Sequence, residues 1–582
     1  MGKARDQGPQ FTEAVCCPGE KPPDARLFLS LGGRLVFLAV LGLNTIALQA
    51  QSDPAASSRA RPPVGDKASE GDRVCKPCHE KIYESYEQTA MAHASGPSHG
   101  NLIVGEFTHE RTHVHYRVYE QDGKVWLSFD RSGNDEIHGR RELLYFIGSG
   151  KRGRTYVFEE QGFFFESPVN WYGQKGVWDM TPAYQDADHI PLNLPLSAEC
   201  LSCHTSVSQD PAPGTQSKYD APILTDEGIA CSRCHGSGEA HAKSGGPILN
   251  PAKLAATKRD AVCMQCHLEG SVAIRQPGRR LGDYKPGEDL QGYVHYYVLV
   301  SQGPGLPAIS QFEALYQSQC KQKFGDAMSC MSCHDPHATP GASEKVEYYR
   351  SKCIACHGEG FASRHHAKER NCVACHMPEV TSSNVAHTQA TDHRILRKPP
   401  GARASAPGGL VLQRFPPSRE QENQRDVALA WQSLAEAGMP PAVQEAETHL
   451  RRAVMEWPND ATLLAALGFL EQRRGQIPQA KAMYERALEK DPLDSTAATD
   501  LGVIEAQTGN VRRAIALWGA AFERQPGRSA IGINLSRALC AEGKPNDAKE
   551  TLQQVLEFNP DLPEARKMLV ELSAHPPKCG AD

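Results

Sequence analysis

Residues 353–376, CIACHGEGFASRHHAKERNCVACH, spell Cys-x-x-Cys-His twice, at Cys353-Cys356-His357 and Cys372-Cys375-His376. Five more copies precede them: Cys75-Cys78-His79, Cys200-Cys203-His204, Cys231-Cys234-His235, Cys263-Cys266-His267 and Cys330-Cys333-His334. From 19 Cys and 23 His in 582 residues, composition alone predicts on the order of 0.02 copies. Two thiols at this spacing make thioether bonds to the vinyl groups of a haem, and the adjacent imidazole reaches the iron. Zinc knuckles also use paired cysteines, but they do not require His after every second Cys. CxxC pairs are poor disulfide staples and recur in redox motifs instead. The expectation is seven covalent haems c, held by these fourteen cysteines and ligated by His79, His204, His235, His267, His334, His357 and His376.

The rest of the composition is ordinary, at 40% hydrophobic and 23% charged with a net charge of −6. No long basic stretch is present, which leaves nucleic-acid binding without support. Haem attachment outside the cytoplasmic membrane calls for an export signal. Arg26 and Arg34 flank an apolar run, Leu35 to Leu48, that ends in Gln49-Ala50-Gln51. Two readings stand: a secretory signal cleaved after Ala50, or a single uncleaved N-terminal membrane anchor with its arginines on the cytoplasmic side. The run is short of the roughly 20 residues of a comfortable span, which favours cleavage. The expected location is periplasmic or otherwise extracytoplasmic, with inner-membrane anchoring as the alternative.

The texture changes along the chain. Residues 1–50 are a polar tail plus the signal or anchor, and 51–73 form a Pro/Ser/Ala-rich lead-in. Residues 74–397 hold the motifs, with a β-rich insertion at about 107–170. There, His113 to Phe129 alternates around Asp122-Gly123, a type I′ hairpin signal. Further strands are expected at Leu143 to Ile147, Thr155 to Phe158 and Phe163 to Val169. A helix after the first motif is expected to run through Tyr86 to His93. Residues 398–424 read as linker. From 425 to 575, Pro458, Pro492, Pro526 and Pro560 recur every 34 residues, in register with Gly468 and Gly502 and with Ala446, Ala480, Ala514 and Ala548. That is the tetratricopeptide period, and such repeats stack into a solenoid. Cys540 falls in a repeat helix and reads as a buried apolar residue. The expected fold is mainly α: a haem-wrapped cytochrome domain with a small β-rich insertion, then an α-solenoid.

What the haems do depends on their second axial ligand. His93, His241, His337, His387 and His393 are placed to supply it, against hydrogen bonding to a propionate or solvent exposure. His189, His295, His365 and His366 rank below them. The strings ELLYFIGSGKRGRTYV, ESPVNWY, WDMTPAY, IACSRCHGSGEAH, RDAVCMQCHLEG, SCMSCHDPH and NCVACHMP resemble bacterial multihaem cytochromes of the cytochrome c-552/c-554 type with C-terminal tetratricopeptide repeats. The resemblance implies haem binding and electron transfer, and supports the same five distal histidines. In relatives a His often precedes the Phe-Glu of a segment like Ser310-Gln311-Phe312-Glu313. Gln311 stands there in this chain, which puts one distal ligand in question.

Two functions compete. One is electron transfer by an exported seven-haem cytochrome whose repeats dock a redox partner protein. The other is an oxidoreductase acting on a small nitrogen or sulfur oxyanion at one open haem, for which the catalytic residues are unknown. Against it, no Cys-x-x-Cys-Lys is present, the variant that marks the catalytic haem of pentahaem nitrite reductases. An interaction scaffold with structural haems is a third reading, and seven cofactors exceed what structure requires.

Overall fold

The computed structural model describes residues 73–133, 136–206, 209–224, 227–301, 310–365, 369–379, 391–397, 410–418 and 422–574. The apolar run at 35–48, Cys16 and Cys17 and most of the 398–424 segment lie outside them. No helix among the described residues is long and apolar enough to cross a membrane.

Alternating sequence between the first two motifs folds as an antiparallel meander. Strands Gly105–His109, Val114–Gln121, Lys124–Arg131, Ile137–Ile147, Gly153–Glu160, Phe163–Tyr172 and Val177–Met180 pair in chain order, and Ser95–Pro97 and Leu194–Pro195 add at its margins. The Asp122-Gly123 turn has both residues at positive φ (53° and 71°), as a two-residue type I′ hairpin requires. The region is thus larger than the 107–170 segment, reaching Met180 and recruiting strands on either side. The meander curls until Gly105 of its first strand lies beneath the Trp178 ring of its last, an approach that leaves no room for a Cβ. Its inner face buries Tyr116, Leu127, Tyr156, Phe158 and Met180, none more than 1% exposed.

The motif region between residues 198 and 397 is loops and short helices with two strands, Val272–Arg275 and Val294–Ser301, and Leu410–Phe415, from the segment read as linker, completes their three-stranded antiparallel sheet. After the first motif the helix Lys76–Tyr86 stops at Tyr86 and gives way to turns, so it ends short of His93.

Four helix pairs follow: Gln424–Glu436 with Pro440–Glu456, Ala461–Arg473 with Ile477–Lys490, Ser495–Gln507 with Val511–Arg524, and Ser529–Ala541 with Pro545–Phe558. Pro563–Ser573 closes the array. The 34-residue small positions sit where helices touch. Gly468 packs under Tyr484 and Gly502 under Trp518, while Ala446, Ala480, Ala514 and Ala548 are fully buried. Cys540 is buried and disulfide-bonded, which corrects its reading as a plain apolar residue. The other described cysteines are free, so its partner lies outside the described residues.

The array is not a free appendage. Phe558, at the end of the eighth repeat helix, is fully buried in the meander's core with its ring 5.1 Å from Phe165. The Leu192 amide donates to the Phe558 carbonyl at 2.8 Å, and the Ile190 amide to Asp561 Oδ1 at 2.6 Å. Arg131 pairs with the buried Asp561 carboxylate at 2.9 Å. Phe558→Ala is expected to cost about 3–5 kcal/mol. The loss is measured as a lowered denaturant midpoint by circular dichroism on the full-length protein, and an unchanged midpoint removes Phe558 from the core.

Candidate functional site

One helical turn brings residues i, i+3 and i+4 to a common face, and the motifs use this. Cys200 to His204 closes helix Ala198–His204, Cys263 to His267 ends Ala256–His267, and Cys353 to His357 ends Lys345–His357. Helix Cys372–His376 is a motif in itself. At Cys330 the turn tightens to a 3₁₀ helix, Cys330–Ser332.

These turns surround one connected cavity of about 6440 Å³, far beyond the roughly 300–1,000 Å³ of an ordinary ligand pocket. Thirteen of the fourteen motif cysteines and all seven motif histidines line it. So do Val74, Ile82, Ile248 and Phe361, large apolar residues 37–48% exposed that call for an apolar cover. The motifs also abut one another: Cys203 neighbours Cys266, Cys263 neighbours Cys330, and Cys353 neighbours Cys372.

Four motif histidines are faced by a second imidazole among the described residues. His79 and His241 have ring centres 6.3 Å apart and planes 22° from parallel. His235 and His337 stand at 5.9 Å and 14°, His334 and His393 at 6.3 Å and 25°, and His376 and His365 at 5.9 Å and 27°. A metal–imidazole bond of about 2 Å, with roughly 1 Å more from nitrogen to ring centre, sets two axial imidazoles about 6 Å apart. The spacing fits a haem iron between each pair.

Protonation agrees. His235 Nδ1 lies 2.8 Å from the Leu249 carbonyl, His241 Nδ1 2.6 Å from Gly246, His376 Nδ1 2.7 Å from Leu396 and His393 Nδ1 2.8 Å from Thr391. A carbonyl only accepts, so Nδ1 carries the proton and Nε2 keeps the lone pair a metal needs. Burial pulls His267, His334, His337 and His393 below the usual imidazole range, aided by neighbouring histidines at the first three. The neutral form is therefore favoured. Burial also pushes the Glu166 carboxyl, 3.5 Å from Cys200 Sγ, up to about 7.

The distal candidates divide. His241, His337 and His393 each face a motif imidazole. His93 instead sits in a turn with Nε2 2.7 Å from the Glu87 carbonyl, and no motif ring among the described residues stacks on it. His387 and His366 lie outside the described residues. His365, ranked low from sequence, faces His376. Its pairing with His376 is tertiary, since Gly358 breaks the helix between His357 and His365 and no sequence spacing signals it. His189 bonds Asp188 and Asn559 at the contact with the repeats. Gln311 opens helix Gln311–Gln317 and lines the cavity.

His295 is used elsewhere. Its Nδ1 donates to Asp426 Oδ2 at 2.7 Å while Nε2 accepts from Arg414 at 2.8 Å, so both ring nitrogens are spent. Arg425 and Gln276 complete the ring of donors around Asp426, joining the three-stranded sheet to the first repeat helix. Burial works to raise the Asp426 carboxyl, but the hydrogen bonds from His295 and Gln276 and the Arg425 donor outweigh it and hold it below its ordinary range. A depressed folded-state value contributes stability above the unfolded value of about 3.9, lost as pH falls through the folded one. Asp426→Asn should therefore cost roughly 3–5 kcal/mol at neutral pH. The gap to wild type should narrow in acid, followed by denaturant titration between neutral pH and the carboxylate range, and a gap that is flat with pH counts against the ion pair.

The profile of the family described as "Cytochrome c554 and c-prime" matches residues 181–236. Tetratricopeptide-repeat profiles match 463–529 and 505–572. A curated relative, "Multiheme cytochrome MtrA" of Shewanella baltica (strain OS185), is 27% identical over 181 residues, covering 28% of this chain. The chain spans about half the length (52%) of that relative. Among solved structures, MamA overlays at TM-score 0.21 with 18% identity, covering 23% of this chain and 78% of its own. Pseudomonas aeruginosa pilF overlays at 0.24 with 22% identity, covering 26% and 69%.

Proposed function

We propose that this multihaem cytochrome with C-terminal tetratricopeptide repeats is an exported electron carrier holding seven covalent haems c, each attached through one of the seven Cys-x-x-Cys-His turns. A bound haem supplies reversible one-electron iron chemistry; the chain supplies attachment, ligands and dielectric. His79, His204, His235, His267, His334, His357 and His376 are the proximal ligands. His241, His337, His393 and His365 serve as second ligands opposite His79, His235, His334 and His376.

The observation that carries the reading is the set of four facing imidazole pairs, one ring of each with its tautomer fixed by a backbone carbonyl. Two imidazoles fill an iron's axial positions and leave it to exchange electrons rather than bind substrate. Each second ligand also follows a different motif: His241 the third, His337 the fifth, His365 the sixth and His393 the seventh. Sites one and three, three and five, five and seven, and seven and six are thereby strapped together as an unbroken relay. The Cys203–Cys266 and Cys263–Cys330 contacts join sites two and four to it.

The repeats are the docking element for a protein redox partner. Phe469, Val503, Ile533 and Arg537 of their inner helices line the same cavity as the motifs, so a partner seated there lies beside the haem domain. The Cys540 disulfide supports an extracytoplasmic location, because disulfides persist in oxidising compartments.

A second reading, reduction or oxidation of a small nitrogen or sulfur oxyanion at one open haem, draws on Gln311 at the cavity wall where the family often carries His. The intact mass of the mature protein is expected to exceed its polypeptide by seven haems. Carbon monoxide is expected to leave the reduced spectrum unchanged for a pure carrier, whereas a shifted Soret band transfers support to the enzyme. His337→Met is expected to remove one bis-imidazole component from the low-spin resonance spectrum. An unaltered spectrum overturns the ligand assignment.

A further inference from the structure

Four aromatic rings follow one another between the sixth and seventh motifs. His357 and Phe361 have ring centres 5.4 Å apart, Phe361 and His365 5.1 Å, and His365 and His376 5.9 Å. Successive planes differ by 32°, 21° and 27°. The column is built by sequence spacing. His357 ends one helix, Gly358 at φ 72° turns the chain, and helix Glu359–His365 presents Phe361 and His365 one turn apart. The buried Arg350 pins the start of that second helix through Glu359 at 2.6 Å.

Phe361 sits between two imidazoles assigned to different irons, and it lines the cavity. We propose that Phe361 is a positioning and shielding residue for the sixth and seventh haem sites. Its ring keeps the His357 and His365 imidazoles in register and keeps water from the side of each that it packs against. An oxidised site carries one more positive charge than a reduced one, and a water-poor surrounding disfavours the extra charge. Phe361 therefore holds both reduction potentials up and couples two sites through one ring. The proposal rests on the reading of His357, His365 and His376 as ligands.

The test compares Phe361→Leu and Phe361→Gln in the full-length haem-loaded protein. Intact mass and the low-spin resonance spectrum establish loading and ligation, and spectroelectrochemical titration gives the potentials. Phe361→Leu keeps an apolar cover and is expected to titrate like wild type. Phe361→Gln admits water and is expected to shift two of the seven haems to lower potential, leaving the other five in place. If Phe361→Gln does not carry its full haem complement, Phe361→Ala, which adds no polar group, is titrated with the same two outcomes. A polar or truncated variant that loads fully and titrates like wild type overturns the proposal. His365→Met separates this from the ligand reading. An unchanged low-spin spectrum in that variant removes His365 as a ligand, whereas a changed one beside a silent Phe361→Gln leaves the ligand reading standing and the shielding role rejected.

Discussion

Paired imidazoles facing one another across about 6 Å are the constraint on which the motif region depends. A short-range contact would let the rings close to van der Waals distance, and a long-range one would let them wander. A metal held between them would fix both spacing and direction, and the pairs join segments far apart in the chain, such as His79 with His241 or His235 with His337. Loops with few regular elements can then keep one shape. The apolar surfaces of Val74, Ile82, Ile248 and Phe361 fit the same logic, since a porphyrin bound there would cover what side chains leave open. Interiors are close-packed, and the motif region leaves a cavity of about 6440 Å³ where a leucine core would otherwise stand.

The repeats and the haem domain share their cores. Phe558 belongs to the interior of the meander, and Asp426 anchors the three-stranded sheet through His295 and Gln276. A partner bound to the repeats is thus held in a fixed relation to the haem sites rather than on a tether. Deleting the repeats strips Phe558 and Asp426 from two packed interfaces, so loss of function in such a truncation reports on folding as much as on docking.

What the sequence made legible was local. A motif of five residues fits on one helical turn, and the 34-residue register survives because each repeat packs only against its neighbours. The Asp122-Gly123 turn was readable because its chemistry is confined to two residues. Second ligands are tertiary facts, and there the reading split. His241, His337 and His393 were singled out and are brought opposite motif rings, whereas His93 was expected on a helix that ends at Tyr86. His365 ranks low from sequence because the break at Gly358 and the approach of His376 are not visible there. His295 looked like any other histidine until Asp426, a hundred and more residues away, was seen to occupy its Nδ1.

Backbone carbonyls explain why the loops matter beyond connection. The four acceptors that set the Nδ1 protons are Leu249, Gly246, Leu396 and Thr391, all outside helices and strands or at an isolated bridge. A carboxylate in those places would push electron density into the imidazole and favour the oxidised iron, whereas a neutral carbonyl orients the ring with less of that bias. Carbonyls are free to do this only where the chain is not spending them on helical or ladder bonds. The Gly- and Pro-rich stretches around Gly245-Gly246 and Asn250-Pro251 then have a use: irregular backbone leaves the acceptors available, and the acceptors decide which ring nitrogen keeps its lone pair.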